Sequence, residues 1–291
     1  MTFAEIFASD FLIRVVIRAL VVGVLVSICS SVLGVILVLK RQSMIGDGLS
    51  HVGFLGLALA AVAGVGATFS MEISIPVVII AAILIQRLSK NDGKMNGDAA
   101  CAVVSTGAVA VGTLLYNITG GRAGDICSSL FGSASIITIS DKDMIISVVL
   151  AVIVLLWFVG YEKMIFTMTF DETFAKASGV TWLGFDLTRW FGVSLAMLTG
   201  FTIVVGMKMM GSIMISAMII FPSLTAMRLT KSFRRTVIFS AVISVACFLV
   251  GFFAACMLSL QTGAAVVTVE LLVFAIVCLV TAIKPKKKKS A

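Results

Sequence analysis

A single histidine, His51, stands four residues after Asp47 in the run Gly46, Asp47, Gly48, Leu49, Ser50, His51. Residues four apart on a helix lie one above the other on one face, so this carboxylate and this imidazole can reach a common ligand. Oxygen with imidazole nitrogen is a donor pair that suits Mn(II), Zn(II) or Fe(II) better than soft Cu(I) or oxygen-seeking Ca(II). Two donors do not complete a coordination sphere; another helix, a second copy of the chain or water must supply the others. Ser50 and the distant Glu270 are further candidate donors. The same spacing also fits an N-cap aspartate and a histidine hydrogen-bonded to a neighbouring helix, and spacing alone does not choose between these readings.

Other groups with chemical capacity read more plainly. Glu270 sits mid-span, where a charge is expensive; it fits a pathway group, a pair with Lys208, or a hydrogen bond into the bundle. Met207, Met209, Met210, Met214 and Met218 resemble a ladder of soft donors, but methionine is a common core filler and packing is the preferred reading. The six cysteines are scattered without a Cys-x-x-Cys pair, which points to packing and not to structural zinc or redox chemistry. Asp98 reads as an N-cap, and Asn117, Ile118, Thr119 is a glycosylation sequon by pattern only. The chain contains no Walker A motif, no Gly-x-Ser-x-Gly elbow and no His-Glu-x-x-His motif, so it carries no recognisable means of hydrolysing ATP and reads as a non-enzyme.

The elements that must hold these residues follow from composition. Of 291 residues 60% are hydrophobic and 12% charged, against about 45–50% and about 25% in soluble domains. This is a membrane chain. Apolar runs predict spans over 11–39, 46–69, 75–88, 99–116, 144–160, 187–205, 211–227, 236–260 and 264–283, about nine in a single membrane domain covering 1–291. Backbone groups in hydrocarbon must bond within their own segment, so runs of this length predict an all-α polytopic fold. Acidic Glu5 and Asp10 before Arg14 and Arg18, with no small-residue cleavage pattern, predict that the first span is retained.

Basic residues follow every odd-numbered span: Lys40 and Arg41, Arg87, Lys90 and Lys94, Lys163 and Lys176, Arg228, Lys231, Arg234 and Arg235, then the lysine-rich tail 284–291. That pattern predicts a cytoplasmic carboxyl terminus and an outside amino terminus, with Arg14 and Arg18 the exceptions. The net charge of +8 is explained by anchoring on anionic membrane lipids, and nucleic acid is not an expected partner. The polar linker 161–186 is the longest cytoplasmic loop. Within it Asp171 is placed as an N-cap, Glu172 favours the first turn and Gly179 stops the chain, predicting a short helix over 172–178 with Phe170 and Phe174 able to face a partner.

At this point the residues resemble a known family, the permeases of zinc-, manganese- and iron-type metal-ion ABC importers (ABC-3). The stretch 44–60, MIGDGLSHVGFLGLALA, is similar to the family's Gly-Asp-Ala-Leu-Ser-His signature. Residues 98–115 are similar to its next conserved span, LFGSASIITIS at 130–140 to its Leu-Phe-Gly-Ser segment, FDETFAKASGV at 170–180 to its cytoplasmic segment, and GSIMISAMIIFPSLTA at 211–226 to its later proline-containing helix. Gly48 replaces the family's usual alanine, no proline follows His51, and Glu270 stands where a small or apolar residue is usual.

The resemblance implies a homodimer of permeases around a central pathway in a bacterial plasma membrane, with cytoplasmic ATPase subunits that use the ATP and an extracellular metal-binding protein. No permanently bound cofactor is implied; the metal is cargo. Asp47 and His51 match positions implicated in metal coordination, and Phe170, Asp171, Phe174, Ala175 and Gly179 match the segment that docks the ATPase. The competing reading is an ion-coupled secondary transporter without an ATPase, using Asp47 and Glu270 as proton or cation sites.

Overall fold

The computed structural model describes residues 10–64, 70–90, 97–119, 141–170, 181–182, 185–258 and 260–283. Long apolar runs become long helices: α1 (Asp10–Leu39), α2 (Met44–Val62), α3 (Ser70–Lys90), α4 (Gly97–Ile118) and α5 (Asp141–Gly160). The short α6 (Glu162–Phe170) follows, then α7 (Leu187–Met210), α8 (Ser212–Leu229), α9 (Phe233–Leu258) and α10 (Thr262–Ile283). The all-α expectation holds except for a two-residue antiparallel ladder, β1 (Thr181–Trp182) with β2 (Phe185–Asp186). Every expected span coincides with a long helix. Among the described residues six of these are long and apolar enough to cross a membrane, or seven if the bent pair α5–α6 is one span; α3 and α7 are not in that group.

Helix α1 is the axis of the bundle, touching α5, α7, α8 and α9. Its inward row is Val22, Val26, Cys29, Leu33 and Ile36, spaced three or four apart as a helical face requires, and all are buried. At Gly34 a β-carbon would lie 2.1 Å from the Ile219 carbonyl oxygen, so α1 and α8 approach backbone to backbone. Beside that contact runs a seam of buried serines. Ser223 Oγ donates to Ile219 O at 2.8 Å and lies 3.4 Å from both Ser31 O and Ser240 Oγ, while Ser244 Oγ donates to Ser27 O at 3.2 Å. α2, α3 and α4 form a second group, joined to the first through α7 and α8. The outer faces of α4, α5 and α10 expose apolar side chains such as Leu114, Leu156 and Leu279, as a lipid-facing surface does.

Three local expectations are corrected. The second span ends at Val62 and not at Phe69, because Ala63 caps it and Gly64 turns into the left-handed region at φ 67. The start of the linker 161–186 is not loop: α6 turns 73° from α5 immediately after Gly160. Asp98 lies inside the first turn of α4, one residue past its start, and not at its cap. The small-residue row Gly56, Ala60, Gly64 packs within the chain where it packs at all. A β-carbon on Gly56 would sit 2.6 Å from Ser74 Oγ of α3, Ala60 is buried, and Gly64 faces open space.

Candidate functional site

Asp47 and His51 lie on the first two turns of α2. The N-cap of that helix is Ser43, which makes no side-chain capping bond, and Asp47 stands four residues inside it. Asp47 is therefore not the cap. His51 Nε2 is 3.7 Å from Asp47 Oδ2, beyond a hydrogen bond. An ion held tetrahedrally at about 2.1 Å from each atom would set them roughly 3.4 Å apart, so the observed spacing is near what a shared cation requires. The other ring nitrogen, Nδ1, is buried and has no hydrogen-bond partner among the described residues. It does not tie the imidazole to a neighbouring helix.

The surroundings of the pair are set by close packing on one side and openness on the other. Gly48, between Asp47 and His51, faces Cys101 of α4, whose thiol donates to Met44 O at 3.0 Å. Gly46 packs against Ile219 of α8, and the Ser216 hydroxyl of α8 lies beside the Asp47 carboxylate. The Asp47 side chain is 45% exposed and that of His51 24%. Ser50 is buried, but its hydroxyl donates to Asp47 O at 2.7 Å, back-bonded to its own helix. No group of three or more His, Cys, Asp or Glu side chains that could hold a metal occurs among the described residues. Among the described residues the chain thus presents a two-donor face that is partly open.

Glu270 is not brought to this face. It is 2% exposed on α10, which packs on α8 and α9, and both carboxyl oxygens lack a partner among the described residues. The expected hydrogen bond into the bundle is absent there, and the Lys208 side chain lies outside the described residues. Met207, Met210, Met214 and Met218 are buried in the core, in keeping with packing.

At the opposite end of the linker question, Phe170 closes α6 with its ring 4.8 Å from Phe166 and 6.4 Å from Phe233 of α9. Asp171, Phe174, Ala175, Gly179 and the helix expected over 172–178 lie outside the described residues. Sequence reasoning missed the anchor of this corner: Arg234 holds the Glu162 carboxylate with two guanidinium nitrogens, Nη2 at 2.7 Å from Oε2. The two residues are 72 positions apart, so no local pattern signals the pair.

The model of the ABC 3 transport family matches residues 12–281, and the chain belongs to that family. The manganese import system permease protein ScaB of Streptococcus gordonii is 26% identical over 257 residues, 88% of each chain. A Haemophilus influenzae relative, named "Probable iron transport system membrane protein", is 28% identical over 263 residues, covering 89% of this chain and 91% of its own. Among solved structures, PsaBC from Streptococcus pneumoniae in complex with Fab superposes with a TM-score of 0.77 at 25% identity, over 94% of this chain and 93% of that one.

Proposed function

We propose that this chain is the permease of an ATP-binding-cassette importer that moves a divalent transition metal ion, zinc, manganese or iron, into the cytoplasm. The observation that carries the reading is the Asp47–His51 pair: two donors 3.7 Å apart on a partly open face, with Asp47 not at the helix cap and His51 Nδ1 without a partner among the described residues. Family membership and the names of the manganese and iron relatives support the same cargo class. Two donors per chain among the described residues favour a homodimer in which a second copy faces the first across the pathway. The reading keeps nine spans, the amino terminus outside and the carboxyl terminus in the cytoplasm, because positive charge follows each odd-numbered span.

Energy would enter through the linker. α6 is pinned to α9 by the Phe166, Phe170 and Phe233 rings and by the Glu162–Arg234 pair, so a push on residues 171–180 has a stiff path into the bundle. Phe174→Asp is expected to leave insertion intact while ATPase copurification and metal uptake both fall sharply. The direct test of function is uptake of radioactive manganese, zinc and iron into proteoliposomes holding the permease with its ATPase subunit. ATP-dependent accumulation of one metal is expected. Accumulation driven by a proton or sodium gradient without the ATPase would replace this reading with the secondary transporter.

A further inference from the structure

Asp47 stands between two glycines, Gly46 and Gly48, in the first turns of α2. Neither has a positive φ; among the described glycines only Gly64 and Gly211 do. The backbone there does not call for glycine, and glycine inside a helix weakens it relative to alanine. What each supplies is room. A β-carbon on Gly46 would lie 3.1 Å from Ile219 Cδ1 of α8, and one on Gly48 would lie 2.3 Å from Cys101 Sγ of α4. Residues two apart face nearly opposite sides of a helix, so the backbone that carries Asp47 is gripped by α8 on one side and by α4 on the other.

The grip of α4 is the closer one. Cys101 is buried, and its thiol donates to Met44 O at 3.0 Å. Met44 lies one turn before Gly48, so a single sulfur meets α2 at a carbonyl and at a bare α-carbon on the same face. Cys101 does not form a three-membered donor cluster with Asp47 and His51. It touches the backbone beneath the donors and is not a third ligand.

We propose that Cys101 is a positioning residue for the Asp47–His51 pair: its sulfur fills the notch that Gly48 leaves, fixes the distance and rotation of α2 against α4, and so sets how the two donors are presented to an ion. The proposal rests on the reading of Asp47 and His51 as metal donors. It makes a specific demand on sequence. Apart from the sulfur, the nearest atoms to a β-carbon on Gly48 are Cys101 O at 3.6 Å and Ser105 Cβ at 3.7 Å, both ordinary contacts. A methyl group at position 48 can therefore take the space of the sulfur. Gly48→Ala overfills the contact and Cys101→Ala empties it, whereas the double variant moves the filling atom from one helix to the other.

The test uses the permease–ATPase complex in detergent, titrated with Mn(II), Zn(II) or anaerobic Fe(II), with the thermal midpoint of the metal-free protein recorded and ATP-driven uptake followed in proteoliposomes. Each single variant is expected to weaken metal affinity by about tenfold or more, the scale of lost support behind a metal ligand. Each is expected to raise KM with kcat within about twofold of wild type. The double variant should return to near wild-type affinity. Gly46→Ala, which meets only the end of the Ile219 side chain, should matter less than Gly48→Ala. Single variants with lowered midpoints but unchanged affinity and KM would make the contact structural and overturn the proposal, as would a double variant no better than Gly48→Ala. If Gly48→Ala does not fold, Cys101→Ala decides alone, and wild-type affinity and KM in it overturn the proposal. A wild type that binds none of the three metals, or an Asp47→Ala variant that binds as wild type does, would overturn the reading of the donor pair and the positioning role with it.

Discussion

The seam where α1, α8 and α9 meet and the face of α2 that carries Asp47 and His51 both place polar atoms inside a membrane bundle, and they treat those atoms differently. In the seam, Ser223, Ser240 and Ser244 are fully buried and each hydroxyl finds a carbonyl or another hydroxyl. On α2, the imidazole has a buried nitrogen with no partner among the described residues and a carboxylate just out of hydrogen-bond range. An unsatisfied polar group in hydrocarbon is costly, and under the proposed function the open group on α2 is kept for a ligand. Under that proposal the difference separates groups that hold the bundle together from groups that serve a passing ion.

That comparison can be broken at its structural side first. Gly34→Leu places side-chain atoms where the Ile219 backbone already stands, so the variant is expected to yield no monodisperse protein on size exclusion. Gly107→Leu, on the lipid-facing side of α4 where a β-carbon meets nothing within 4 Å, should express like wild type. If both behave alike, the close approach of α1 and α8 is not what the bundle rests on. A smaller effect is expected at Ser223→Ala, which removes satisfied hydroxyl bonds worth about 0.6 kcal/mol in a membrane interior; reversible unfolding in mixed micelles would measure it. Smallest of all is Glu270→Gln. With no hydrogen bond to lose among the described residues, the isostere should not lower stability, whereas a drop above about 1 kcal/mol would reveal a partner such as Lys208.

How much of this was legible in the sequence depends on the range of the signal. Long apolar runs located every long helix, because a span is a property of its own twenty or so residues. Asp47 and His51 were legible for the same reason: the only histidine and a carboxylate share one helical face within four positions. Their surroundings were not legible, since they depended on Ser43 and not Asp47 being the cap, and on Nδ1 finding no partner among the described residues. α6 was read as loop because nine residues beginning Glu162, Lys163 are too short and too polar to resemble a span. Its contacts with Phe233 and Arg234 are both distant in sequence, so no local pattern signals them. The left-handed turn at Arg41 was equally hidden, since the usual cue for it is glycine.

The central claim is that Asp47 and His51 serve the transported ion and not the fold. The most direct measurement compares Asp47→Ala, His51→Ala and Met214→Leu in ATP-driven metal uptake, with membrane abundance and thermal midpoint recorded for each. Both alanine variants remove a donor from a partly open face and little apolar surface, so they are expected to insert normally, unfold within a few degrees of wild type and take up no metal. Met214→Leu keeps core volume and loses only a weak sulfur donor, so its uptake should stay near wild type. Uptake near wild type in both alanine variants, or loss of uptake that merely tracks loss of folded protein, would contradict the account.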